Sequence, residues 1–276
     1  MGSILNNPPV FHMLIQIKFN RITAIKNYYD QIQECFRQAS FPDAKENLQQ
    51  EISIQQPTED TMQNVRIEHK NQLTWHFMNF ERSAGFVLGD DFLVYHTTAY
   101  KCFNDALPHI LNGINIIHEV MAISFIERIG MRFLNAILPE PSKQLSDYLI
   151  PDVLGFSGTS LETNGYIKQH SMFESILFSE AEKRVCASRI VMAKTNNSPP
   201  IMPQDLIPLI QQLDLQKQFI GLTGDMALLD IDCFQDGMRE QFVLNQIEKH
   251  ITALHDNAST IFRTLIRPER MQQWEV

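Results

Sequence analysis

The chain is poor in cysteine, and its four thiols, Cys35, Cys102, Cys186 and Cys233, are scattered with no CxxC spacing. That excludes a zinc ribbon or a disulfide frame and is the pattern of reduced core thiols. Positive charge is also short. A formal net charge of −9 argues against a broad surface for nucleic acid or anionic membrane. No apolar run reaches the roughly 18 residues that span a bilayer. The first residues lack the charged-then-apolar layout of a signal peptide, and Gly2 is followed by Asn6 where myristoylation wants Ser or Thr. A cytoplasmic protein is the expectation. Catalytic signatures are missing too: no Walker or GxGxxG loop, and no GxSxG elbow. His250 and His255 are five apart and form no HExxH pair.

What is present is alternation. Ser124–Asn135 reads as a strand with Phe125, Ile129, Met131 and Phe133 on one side, Glu127 among them, and Arg128 and Arg132 flanking Gly130 on the other. Gly130 would leave a gap in which a backbone or a small anion comes close. Glu127, pointing coreward, would need a buried partner. Before it, Val10–Asn20 is a strand with Phe11, Met13, Ile15, Ile17 and Phe19 on one face. Ile22–Ala39 is a helix with one apolar stripe, and residues 43–62 are a polar surface loop.

Val65–Lys70, Leu73–Arg82 and Phe86–Thr98 form an antiparallel meander, with turn chemistry at Lys70-Asn71-Gln72 and Gly89-Asp90-Asp91. A helix over Phe103–Val120, bent or started by Pro108, delivers the chain into the Arg-flanked strand. Leu145–Leu149 makes a helical turn and Gly155–Gly165 a loop. Tyr166–Phe178 and Arg184–Lys194 form a hairpin, and Asp205 caps a short helix near Leu206–Leu213. Met226–Phe234 is a strand. A long helix over Met238–Leu265 carries Val243, Ile247, Ile251, Leu254, Ala258, Ile261 and Leu265 at three- and four-residue steps.

The fold class is therefore α+β, with twisted antiparallel sheet and long amphipathic helices on one face. A single unit is expected, with two pseudo-duplicated halves of about 1–150 and 160–276.

Landmarks recur in order: Leu5-Asn-Asn-Pro-Pro9, Gly85-Phe-Val-Leu-Gly89, Tyr95-His-Thr-Thr-Ala-Tyr100, Phe125–Asn135, Leu229-Asp-Ile-Asp232, Leu254-His255, Ile261-Phe262 and Trp274. Together they resemble a sporadically distributed family of uncharacterised prokaryotic proteins of about this length. The resemblance implies a stand-alone protein and supplies no catalytic residues. Patchy distribution associates such families with mobile or defence-related genes.

Two function classes follow. The first is a cytoplasmic binding or interaction protein, antitoxin-like or defence-associated, whose partner is another protein or itself. The second is a metal- or phosphate-dependent enzyme built on Asp230, Asp232, Arg128 and Arg132. Asp230 and Asp232 share one strand face and could hold Mg²⁺, although no third acid is spaced nearby. No other cofactor is expected. The candidate polar site comprises Glu127, Arg128, Arg132, Asn135, His96, Tyr100, Asp230, Asp232 and His255. His96 is a candidate acid or base at a strand–helix junction, where Thr97 or Thr98 would cap the helix. If the two strands are neighbours, each Arg is expected to meet an Asp in a cross-strand ladder.

Overall fold

The computed structural model describes residues 8–55, 66–155, 164–166 and 168–274, with side chains described outside 49–72 and Gln273. The apolar alternation builds one ten-stranded, wholly antiparallel sheet. Its strands are β1 (Val10–Phe19), β2 (Asp43–Gln55), β3 (Arg66–Met78), β4 (Ala84–Leu88), β5 (Phe92–Thr97), β6 (Phe125–Ile137), β7 (His170–Ser179), β8 (Arg184–Ser198), β9 (Leu222–Gln235) and β10 (Glu240–Gln241). The order is β2-β3-β4-β5-β1-β6-β9-β8-β7, with β10 added to the start of β6. The fold is α+β as expected. In each half a central strand, β1 or β6, is rejoined by a meander running inward from an outer edge, and a long helix follows.

Three helices lie on one face: α1 (Tyr29–Gln38), α2 (Phe103–Met121) and α3 (Leu244–Leu265). Each presents one apolar stripe to the sheet. Ile32 and Phe36 come from α1, Ile110, Ile114 and Ile117 from α2, and Ile247, Ile251, Leu254 and Ala258 from α3. All are buried in one core with Met13, Ile15, Ile129 and Met131. Cys102 is the N-cap of α2, with no side-chain cap, so neither Thr97 nor Thr98 has that role. Thr98 Oγ1 instead donates to Asp214 O at 2.6 Å. The opposite face carries a smaller core, covered by the 199–222 segment through Leu206, Ile210 and Phe219.

Several boundaries differ from the sequence reading. Asp43–Gln55 is a strand, not a loop. It is the last strand of the sheet and needs no apolar outer row, so its Gln and Glu residues protect an edge. β3 runs through 70–72 without a break, held by its ladder to β2. Val65, residues 56–62 and most of the 155–165 loop lie outside the described residues. The long helix starts at Leu244, because Val243 is its N-cap and stands 46 % exposed. Asp205 does not cap a helix either: the turn at Ile207–Ile210 has Leu206 as its N-cap.

Two β-bulges account for the errors of phase. In β1 the register steps from Val10↔Asn135 to His12↔Leu134, making Phe11 the extra residue and sending it to the smaller core. In β6 the step from Lys18↔Arg128 to Phe19↔Ile126 makes Glu127 the extra residue. Beyond that point Ile126 takes over the core phase, and Glu127 is exposed. The expected buried partner of Glu127 is therefore not needed; its carbonyl accepts a hydrogen bond from the Met238 amide at 2.9 Å.

Candidate functional site

The sheet divides the predicted site residues between its two faces. Arg128, Arg132, Asp230, Asp232 and His96 lie on the face under the 199–222 segment. Tyr100, Asn135 and His255 lie under the helices, and Glu127 belongs to neither group.

On the covered face the expected ladder exists in part. Arg132 donates from Nε and Nη2 to the two oxygens of Asp230, each at 2.7 Å, and from Nη1 to Asp205 at 2.6 Å. Burial pulls the Arg132 guanidinium down, but the bonds to the two carboxylates outweigh it and hold the group firmly protonated. Arg189 approaches the same Asp230 oxygen at 3.6 Å and also pairs with Glu174, so the row reaches β7.

Arg128 does not join it. Its guanidinium folds back across Gly130, donates to Gln16 at 2.8 Å and lies 4.6 Å from the Phe234 ring centroid. A Cβ at Gly130 would come 3.0 Å from Arg128 Nη1. The glycine thus makes room for the neighbouring side chain, and the gap is filled from within the chain. Burial pushes the Asp232 carboxyl up, while Arg132 and Arg128 pull it back.

His96 is fully buried, 3.4 Å from His12, and burial holds both imidazoles neutral. His76 bonds Gln212 and Thr74. Together Asp205, Gln212 and Asp214 fasten the 199–222 segment onto the sheet through Arg132, His76 and Thr98. This arrangement anchors the cover. Among the described residues no group of three or more His, Cys, Asp or Glu side chains converges as a metal ion requires.

The helix face is different. Between the start of α2, the middle of α3 and strands β6 and β9 lies a cavity of about 550 Å³. Such a volume suits a small organic molecule. Its walls are aromatic. His255 stacks on Phe103, centroids 4.1 Å apart and planes at 11°, and turns its edge to Phe133 at 6.2 Å. Tyr100 meets Phe133 at 5.4 Å, edge to face.

Polar groups stand among these walls, Tyr100, His255 and Asn135 with them. Burial raises the Tyr100 phenol well above its usual value, reinforced by Cys102 and Asp105, so it stays a hydrogen-bond donor. Burial lowers the His255 imidazole, partly offset by Asp256, so it is neutral at pH 7. Asn135 is 3 % exposed and donates from Nδ2 to Leu229 O at 3.1 Å.

The backbone contributes as well. α2 opens at the cavity, and its N-cap Cys102 makes no side-chain bond to the first-turn amides, leaving partial positive charge there. Pro108 sits one turn in and cannot donate to the carbonyl of Asn104, a residue that lines the same space. Lys101 and Asp256 line the cavity with charges of both signs.

Sequence reasoning picked out Tyr100, Asn135 and His255 as separate polar positions and missed Phe103 and Phe133 as their walls. Phe103 had a signal: it is an aromatic at a helix start, three residues past Tyr100 and in phase with the stripe that begins at Ala106. No family model matches the chain, and no curated protein matches it.

Proposed function

We propose that the protein is a cytoplasmic binding protein whose ligand is a small, flat, largely apolar molecule held in the α2–α3 cavity. The observation that carries this reading is the convergence of the Phe103–His255 stack and Phe133 with Tyr100 and Asn135 around about 550 Å³. Stacking between aromatic walls favours a planar ligand. The Tyr100 hydroxyl, the His255 imidazole and the α2 amides favour one with hydrogen-bonding atoms along an edge. The acidic balance and the four free cysteines support the cytoplasmic part of the proposal.

The enzyme reading on Asp230, Asp232, Arg128 and Arg132 has less support. Arg132 already carries two carboxylates, and Arg128 is committed to Gln16 and Phe234. A defence-associated role rests on the resemblance alone.

Indole, quinoline and adenine, tested by ligand-observed NMR, sample planar rings with different polar edges. At least one is expected to bind the wild type. Ser259→Trp, which places an indole in the cavity from α3, should abolish that binding while preserving the circular dichroism spectrum. Absence of binding by all three, or binding that survives Ser259→Trp, would overturn the assignment.

A further inference from the structure

We propose that the outer edge of β7 is a self-association edge, at which two copies of the chain pair their β7 strands antiparallel about a two-fold axis through Ser175. The inference is independent of the cavity. β7 is the last strand of the sheet, and among the described residues it is paired on its inner side alone, by β8. An unpaired strand presents a row of free backbone donors and acceptors, which proteins protect with charge, proline or a bulge.

The two edges of this sheet differ in that respect. β2 carries Asp43, Lys45, Glu46 and Glu51. β7 has no proline or lysine, its register with β8 is unbroken over all ten residues, and its one carboxylate, Glu174, is paired within the chain to Arg189. Instead it exposes large apolar side chains: Met172 63 %, Ile176 65 %, Leu177 57 % and Phe178 59 %. Met172, Ile176 and Phe178 stand on one face beside Val191, Ala187 and Val185, their half-buried partners on β8. The apolar surface is therefore two strands wide. Contiguous exposed apolar surface on an open edge marks an interaction site.

The pattern also selects the occupant. A two-fold axis normal to the sheet pairs residues equidistant from the axis and on the same face. An axis at Glu174 would set Glu against Glu. An axis at Ile176 would set Glu174 against Phe178 and Met172 against Glu180. With the axis at Ser175, Met172 meets Phe178 on one face, Phe173 meets Leu177 on the other, and Glu174 meets Ile176. One apolar pair then forms on each face with no like charges in register, and the single carboxylate set against an apolar side chain, Glu174, is already neutralised by Arg189, whereas the Ile176 axis sets two against apolar partners. The strand is complementary to itself. Edge pairing of ten residues buries less than the roughly 1,200 Å² of a standard interface, which puts the association among the weak, reversible ones.

Ser175→Cys tests both the edge and its register, because only the axial residue faces its own copy. Under copper–phenanthroline oxidation the variant should run largely as a covalent dimer on a non-reducing gel. The wild type with its natural cysteines, and Ser171→Cys, whose copies would be roughly 27 Å apart at strand rise, should stay monomeric. Adding Ile176→Lys to Ser175→Cys should remove the cross-link, and Ile176→Lys alone should sediment as a monomer where the wild type is dimeric. A wild type that sediments as a monomer up to about 500 μM, a concentration at which a weak specific interface still associates, overturns the proposal. So does a dimer that persists in Ile176→Lys, or equal cross-linking at positions 171 and 175.

Discussion

Arg132 grips both oxygens of Asp230 at 2.7 Å, although its register partner across β6 and β9 is Asp232. The diagonal reach leaves Nη1 free for Asp205 at 2.6 Å, so one guanidinium joins two strands and the segment that covers them. Asp230 is 3 % exposed and the Arg132 side chain 12 %. Removing one partner would strand the other charge away from water. Arg132→Ala and Asp230→Ala are each expected to cost about 3–5 kcal/mol, and the double variant less than their sum. Urea denaturation of the four proteins measures this. The pair Arg128 and Asp232 should couple more weakly, by about 0.5–1 kcal/mol, because Arg128 is bonded to Gln16 and acts on Asp232 through its charge alone.

The contrast shows which parts of the structure were legible in the sequence. Period-two alternation in β6 and the three- and four-residue steps of α3 are properties of local chain geometry, so strands, helix and fold class could be read directly. A one-residue bulge is different. Nothing in Phe-Ile-Glu-Arg marks Glu127 as the extra residue; the step is set by pairing with Lys18 and Phe19 on a strand more than 100 positions earlier. For the same reason the arginines could be placed on one face while their partners could not. Arg128 is drawn to Gln16 and Phe234, and Arg132 to a covering segment whose position depends on the whole sheet. The cavity was legible as residues and not as a place, because Tyr100, Asn135 and His255 meet only after α2 and α3 are laid side by side.

The register of α3 offers a direct check on packing. Ile251 and Leu254 are fully buried, and Lys249 is exposed. Ile251→Ala and Leu254→Ala should each cost about 2–5 kcal/mol, the range for core truncations. Lys249→Ala should stay within about 0.5 kcal/mol. Val243→Ala, at an exposed N-cap, should resemble Lys249→Ala and not the other stripe positions. Thermal melts of the four variants separate these cases.

Gly113 sits inside α2, where alanine would normally raise helix propensity by about 1 kcal/mol. Here the Phe86 ring from β4 packs directly over the glycine and occupies the place of a Cβ. Phe86 is itself held by Phe36 and Phe41 at 4.8 Å each, so the ring has little room to retreat. Overpacking of this kind costs about 1–3 kcal/mol. Gly113→Ala is therefore expected to destabilise the protein, while Gly113→Ala combined with Phe86→Leu should recover part of the loss. A gain in melting temperature for the single variant would contradict the close packing of α2 on β4.

The buried pair His12 and His96 sets an acid limit on stability. Their ring nitrogens approach at 3.4 Å, and the outer nitrogens, Nδ1 of His12 and Nε2 of His96, have no partner among the described residues. Whichever ring donates, one N–H and one lone pair remain unsatisfied, so a further proton would find no acceptor inside. Burial first, and the nearby Arg132 second, lower the His12 imidazole to about 3 from its ordinary 6.5. Burial, with His12 and His76 nearby, holds His96 well below its usual value. Unfolded, both rings take up protons as the pH drops through 6.5; folded, His12 does so only near 3. Between those values the unfolded chain binds more protons, so the stabilising contribution is complete above pH 6.5 and is lost progressively on acidification. From pH 7 to pH 5 each excluded proton should cost about 2 kcal/mol. His12→Phe, which keeps a ring of similar size in the same place, should reduce that loss by one histidine's share. Urea midpoints at pH 7 and pH 5, for wild type and variant, give the comparison; an identical pH dependence in both would show that His12 gains its proton without unfolding.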